Sequence, residues 1–344
     1  MSGVASTSDA LAEARYVAFA GAGTRGVLYV GLLEALEDAL GEAHEEWRAA
    51  LRGAAGTSAG ACAALLLLLG LDRAARRETL RELSDMRAIV RCPDVGLLLR
   101  HYGWEDGRAF KELVQRLLVR GGLSGDSTLG DLRRLLRQDF VCVCTDLRTG
   151  RALELSAKTH PTLRVCDAVY ASCCVPFVFA PARVPDADGV ETLATDGCLA
   201  CNLPDVFDGA QTLYVTLGES PSEGVHSWMD FLHGIVRCSV AAQDDRVAAL
   251  CAARPRQCLR LWLPPALCGT PAFDPTLDAR GVELLFRAGY AGARDALAAG
   301  ALSAAAERAV RVYAALAALP PQDTALTEEP PDGECACGGG PGSS

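Results

Sequence analysis

YVAFAGAGTRG (residues 16–26) is a short apolar run stopped by a glycine-rich loop, and the segment after it places Leu28, Leu32, Leu36 and Leu40 four residues apart. An uninterrupted apolar run is the pattern of a strand buried on both faces, and a spacing of four is helical. The pattern then repeats: residues 51–55 form a second short strand, GTSAG (56–60) a second glycine turn, and residues 59–70 an apolar helix. Strand, loop, helix, strand, turn, helix predicts βαβ units, hence a parallel sheet with right-handed crossovers. The expected fold class is α/β, a three-layer sandwich with a mainly parallel central sheet and helices on both faces.

Outward from this stretch, polar-faced helices are expected over 73–90 and 107–137. FVCVCT (140–145) and residues 152–156 flank DLRTGR (146–151) as a hairpin. Further strands are expected over 177–180, 193–195, 213–217 and 258–263, and helices over 227–253, 277–299 and 301–318. No internal repeat or linker interrupts the chain before residue 319. The expected organisation is a flexible N-terminus (1–14), one domain (15–319) and a disordered tail rich in Pro, Gly and acids (320–344).

The chain has 344 residues, 50% of them hydrophobic and 22% charged, enough to bury a sizeable core. A net charge of −10, with Lys111 and Lys158 the only lysines, argues against a nucleic-acid partner, since phosphate contacts need clustered cations. Residues 1–15 carry no apolar signal segment, and the apolar run 61–71 is shorter than the roughly 20 residues that span a bilayer. The expectation is an intracellular, cytoplasmic protein with at most peripheral membrane contact, whose 15 cysteines are reduced thiols.

GTSAG is a G-x-S-x-G sequence between strand and helix, where a sharp turn lifts the Ser58 hydroxyl clear of the sheet and Gly56 and Gly60 allow close approach. GAGTRG (21–26) has two readings. As G-x-G-x-x-G it is a dinucleotide fingerprint of a nucleotide-dependent oxidoreductase, which needs an acid after the next strand; Glu42, Glu45 and Glu46 are the candidates, in a polar helical stretch. Alternatively its backbone N–H groups face Ser58 and serve as oxyanion donors. His44, His101, His160, His226 and His233 sit at no glycine turn and read as surface or packing residues. Asp196 ends an apolar strand and is followed by Gly197, which alone reads as an Asp-Gly turn. Cys198 and Cys201 form a C-x-x-C pair without the second pair that zinc needs; a redox pair whose disulfide would distort the Asp196 loop is the other alternative, and packing thiols are the expectation. The helical face Trp228, Phe231, Leu232, Ile235 and the segment 95–99 with Trp104 are apolar enough to meet lipid, but core burial is the expectation.

GAGTRG, GTSAG and DGCLACNLP (196–204), in that order, resemble the patatin-like phospholipases, whose pattern is G-G-G-x-R-G, G-x-S-x-G and D-G-G/A continuing to N-x-P. ASCCVP (171–176) is similar to the family's A-S-x-x-x-P, and the hairpin extends the resemblance over about residues 16–300. The resemblance implies a patatin-like catalytic domain and lipid acyl ester hydrolysis of phospholipase A or lysophospholipase type. It implies a Ser58–Asp196 dyad without histidine and an acyl-serine intermediate. The oxyanion loop would be Gly21, Ala22, Gly23, Thr24, Arg25 and Gly26, with donors from Gly23 through Gly26 and Arg25 as a brace. Gly197, Asn202 and Pro204 would support the base loop. It implies no metal or cofactor, and as partners a phospholipid or other acyl lipid and a transient membrane surface. A catalytically inactive lipid- or partner-binding relative is the remaining alternative. The chain departs from the pattern at Ala22 and at Cys198, which puts a thiol beside the expected base.

Overall fold

A computed structural model describes residues 11, 13–84, 89–90, 95–185, 189–218, 228–255, 257–267, 272–274 and 276–299. The helix expected over 301–318, the tail 320–344 and most of 1–14 lie outside the described residues. The chain opens with β1 (Tyr16–Phe19), a 3-10 turn over Gly23–Gly26, α1 (Val27–Leu40), α2 (His44–Ala50), β2 (Gly53–Thr57) and α3 (Ala59–Leu69). Next come α4 (Arg73–Ser84), α5 (Val95–His101), β3 (Gly103–Glu105), α6 (Arg108–Arg120) and α7 (Leu129–Leu136). Then follow β4 (Asp139–Asp146), β5 (Arg151–Ser156), α8 (Val165–Cys173), β6 (Phe177–Phe179), β7 (Ala182–Pro185) and β8 (Glu191–Asp196). β9 (Thr212–Leu217), α9 (Trp228–Ala253), β10 (Cys258–Leu261) and α10 (Ala279–Ala299) complete it.

The main sheet runs β10-β9-β1-β2-β4-β8-β7, with β5 also paired to β4. Pairings from β10 to β4 are parallel; β5 and β8 lie antiparallel to β4, and β7 antiparallel to β8. Parallel strands are covered on both faces, and β2 is accordingly buried at every position. Along β1 the side chains alternate: Val17 and Phe19 enter the larger core with α1, α3, α8 and α10, whereas Ala18 joins Tyr214, Val247 and Cys258 in a smaller core under α9. Those two cores are the interfaces of a three-layer sandwich.

Most expected elements form, and the differences have local causes. The second strand starts at Gly53 because Leu51 still belongs to the end of α2, its N–H donating to the Arg48 carbonyl at 3.2 Å. The helix expected over 107–137 is two helices, α7 starting afresh at Thr128, whose side chain accepts from the Asp131 N–H in a capping box. β3 and β6 pair with each other outside the main sheet. β3 and β7 have three and four residues, too short for a periodic signal.

α10 packs along α1, and the crossing is close enough to exclude a side chain: a Cβ on Gly289 would lie 1.9 Å from the Leu28 carbonyl oxygen. Helix propensity favours alanine over glycine by about 1 kcal/mol, but overpacking against backbone costs about 1–3 kcal/mol. Gly289→Ala is therefore expected to lower stability in urea titrations. A midpoint equal to or above that of the parent protein contradicts this crossing.

Candidate active site

Ser58 is the residue on which β2 turns into α3. Its φ of 55° and ψ of −127° lie outside the regions ordinary residues favour, and it is 4% exposed. Two contacts hold it. Its N–H donates to Ser172 Oγ at 2.9 Å, and Ser172 in turn donates to the Val143 carbonyl on β4 at 2.6 Å. Its own hydroxyl donates to Asp196 Oδ2 at 2.7 Å. Gly56 and Gly60 flank the turn on β2 and α3.

Asp196 arrives from the far side of β4. It is the last residue of β8, which runs antiparallel to β4 and sets Asp196 opposite Cys144. The Thr145 hydroxyl donates to the Asp196 carbonyl at 2.8 Å, and the Cys198 N–H donates to Oδ1 at 2.9 Å from the 3-10 turn that Gly197 begins. The Cys198 thiol, expected to be packing only, lies beside the Asp196 carboxyl. Burial pushes the Asp196 carboxyl above the usual carboxylate range, offset in part by the bonds from Ser58 and Cys198.

The third segment is the loop after β1. Gly23, Thr24 and Gly26 line the same groove as Ser58. Gly21 is tied to the base loop: its N–H donates to the Asn202 carbonyl at 2.9 Å, and a Cβ there would lie 2.1 Å from Cys198 Sγ. Ala22 has φ −145°, so alanine fits without strain, whereas Gly23 has φ 57°. The Thr24 N–H donates to the Ala272 carbonyl at 2.9 Å and the Arg25 N–H to Ala22 at 3.2 Å. With the Gly26 N–H inside the 3-10 turn, three of the four expected donors are engaged within the protein. Asn202 and Pro204 are buried, and the Thr57 hydroxyl reaches the neighbouring Cys201 carbonyl at 2.9 Å.

Ser58 opens onto a groove of about 850 Å³, solvent at its mouth included, walled by Val30, Leu66, Phe110, Phe179 and Phe273 among other apolar side chains. The wall's polar groups include the Ser58, Thr24 and Tyr29 hydroxyls and the thiols of Cys62 and Cys173. Such a groove is lined to receive an apolar chain beside Ser58.

Among the described residues no histidine hydrogen-bonds Ser58 or Asp196. His160 spans Thr159 and the Pro185 carbonyl, each at 2.8 Å; His44 pairs with Glu45; His101 is exposed; His226 lies outside the described residues. Glu42, Glu45 and Glu46 are exposed on the turn before α2 and on α2 itself, away from the end of β2 where a ribose would need an acid. Among the described residues no cluster of three His, Cys, Asp or Glu side chains is set to hold a metal ion, and no helix is long and apolar enough to cross a membrane. The expected burial of the apolar faces holds for Trp104 but fails for Leu99 at 76% exposure, and for Phe231 and Ile235 at 46% and 49%. Ser172 is the serine of ASCCVP, a segment whose likeness to A-S-x-x-x-P assigns its hydroxyl no role; the structure sets that hydroxyl inside the buried helix α8.

A family model described as patatin-like phospholipase matches residues 17–205. Among solved structures the chain is similar to VipD from Legionella pneumophila, with 15% identity and a TM-score of 0.50, over 84% of this chain and 67% of VipD. It is also similar to ExoU in the heterodimeric ExoU–SpcU complex from the type III secretion system of Pseudomonas aeruginosa, with 17% identity and a TM-score of 0.40, over 84% of this chain and 52% of that one. The chain thus spans about half the length of ExoU, and at these identities the likeness is one of fold. No curated protein sequence matches it.

The buried carboxyl gives a test independent of turnover. Because the folded protein holds the Asp196 proton more tightly than the unfolded chain, Asp196 favours folding while protonated and opposes it as pH rises through the raised value. Asp196→Asn has no charge to bury. It is expected to melt at or above the parent temperature near about pH 7, with the gap closing as pH falls towards about 4. A variant that melts lower at neutral pH and recovers in acid has the opposite sign and contradicts the burial of this carboxylate.

Proposed function

The chain belongs to the patatin-like phospholipase family, and from that premise we propose that it hydrolyses acyl lipid esters through Ser58 and Asp196. The family's lipid hydrolase chemistry gives the substrate class. The observation that carries the finer reading is the 2.7 Å contact between Ser58 Oγ and Asp196 Oδ2 at the head of an apolar groove.

In this reading the acyl chain lies along the groove and its carbonyl carbon meets Ser58 Oγ. Asp196 accepts the hydroxyl proton as the C–O bond forms, because a serine hydroxyl is a weak nucleophile until a base takes its proton. The negative oxygen of the tetrahedral intermediate is met by the Gly23 N–H on the groove wall and by the positive end of α3. Collapse returns the Asp196 proton to the departing alcohol and leaves an acyl-Ser58 ester. Water, deprotonated by Asp196, then attacks that ester and frees the fatty acid and Ser58. The raised proton affinity of Asp196 suits this role, since an ordinary carboxylate is too weak a base near neutral pH. The Ser172 hydroxyl acts on the other side, fixing the Ser58 backbone so that Oγ faces the carboxylate. The sequence's net charge of −10 and the exposed Leu99, Tyr102, Phe231 and Ile235 support brief, apolar contact with a membrane surface.

A fluorophosphonate probe is expected to modify Ser58, and Ser58→Ala to abolish both labelling and ester hydrolysis. Asp196→Asn is expected to cut kcat by at least about 10³-fold, and Gln at each of the five histidines to cost far less. The rate should fall on an acidic limb above the usual carboxylate range, because hydrolysis needs Asp196 ionised. A folded histidine variant as slow as Asp196→Asn, or Ser58→Ala activity within about tenfold of the parent, overturns the assignment.

A further inference from the structure

Eleven described cysteines are free thiols, and two of them line the groove with Ser58: Cys62 and Cys173. They come from different helices. Cys62 lies on α3, one turn beyond Ser58, and its N–H approaches the Ser58 carbonyl at 3.4 Å. Cys173 ends α8, directly after the Ser172 that holds the Ser58 N–H. Their sulfurs face each other at 3.9 Å across 111 residues of sequence. A disulfide needs about 2.05 Å, within reach of side-chain rotation and a small approach of the two helices.

The geometry points to Cys62 and Cys173 as an oxidisable thiol pair in the groove wall, converted by a peroxide to a disulfide that ties α3 to α8 beside Ser58 and slows the enzyme. Cys62 is the half-exposed partner and reacts first. Its sulfur attacks the O–O bond of the peroxide; one oxygen leaves with a proton as water, and the other stays on sulfur as a sulfenic acid. The Cys173 sulfur then attacks the Cys62 sulfur, the S–O bond breaks, and hydroxide leaves with the Cys173 proton as a second water. Two thiols and one peroxide give one disulfide and two waters: the sulfurs lose two electrons and the peroxide gains them. Cys173 takes the second role because it is buried and so shielded from the peroxide, with its sulfur already facing Cys62. The new bond joins the helix that carries the nucleophile to the helix that holds its amide. A chain lying in the groove covers Cys62 and Cys173, so occupancy slows their oxidation.

The slowing of hydrolysis rests on the function proposed above; the disulfide itself does not. The full chain is treated with hydrogen peroxide, alkylated with iodoacetamide and digested without reduction. A Cys62–Cys173 cross-linked peptide is expected to dominate and to form more slowly with oleate present. Hydrolysis of a long-chain p-nitrophenyl ester is expected to drop by about fivefold or more and to return with dithiothreitol. Cys62→Ala, compared with its own reduced form, should keep its rate under peroxide within about twofold. The proposal is overturned if both thiols are recovered alkylated, if the cross-linked protein hydrolyses as fast as the reduced one, or if Cys62→Ala is still inactivated, which would shift the effect to another thiol such as Cys198. Should the reduced protein hydrolyse no ester, the function fails separately, and the cross-link with its response to oleate still decides the thiol pair.

Discussion

The backbone of Ser58 sits at a positive φ that a non-glycine residue adopts only when its surroundings hold it there. The restraint is the path from the Ser58 N–H through Ser172 Oγ to the Val143 carbonyl, which spends an amide the strand-to-helix turn cannot satisfy internally. With the turn fixed, α3 leaves the sheet at a set angle, its first turn closes against the loop after β1, and the groove opens between them. Strand order, the glycines around the turn and the antiparallel approach of β8 are all subordinate to that one conformation.

Charge follows the same logic. Asp196 is buried with few partners: the Ser58 hydroxyl on one oxygen, the Cys198 amide on the other, and the Cys198 thiol beside them. Among the described residues no arginine or lysine offsets it, so the carboxylate keeps a high affinity for protons. A salt-bridged aspartate would contribute more to stability and hold its proton far less tightly. Arginines stand elsewhere, as at Glu34, which is 1% exposed and gripped by Arg77 at 2.8–2.9 Å between α1 and α4.

The βαβ opening was legible because its strands are buried on both faces, its first helix carries leucines four apart and its second is a continuous apolar run. GTSAG was legible because strand, glycine, serine and helix occur at fixed spacing. Asp196 was different: its own segment says only Asp-Gly turn, and it became a candidate through order and company with the other two motifs. The rest depends on contacts that sequence spacing does not encode. Ser172 lies 114 residues from the amide it holds, and Cys173 lies 111 from Cys62. The apolar faces of α5 and α9 carry the periodicity of a core helix, yet Leu99, Phe231 and Ile235 remain at the surface, because period reports a face and not what covers it.

The two sides of the Ser58–Asp196 contact lie 138 residues apart, on strands that run in opposite directions about β4. Contacts this remote close late, because the loop entropy of the intervening chain must be overcome before they form. A chain emerging from the ribosome can complete β1, α1, β2 and α3 while β8 is still unsynthesised, leaving the Ser58 hydroxyl without a proton acceptor. The order of synthesis is thus a timer: Ser58 and Asp196 can meet only after β1, β2 and β4 have been made, with β9 and β10 still to come.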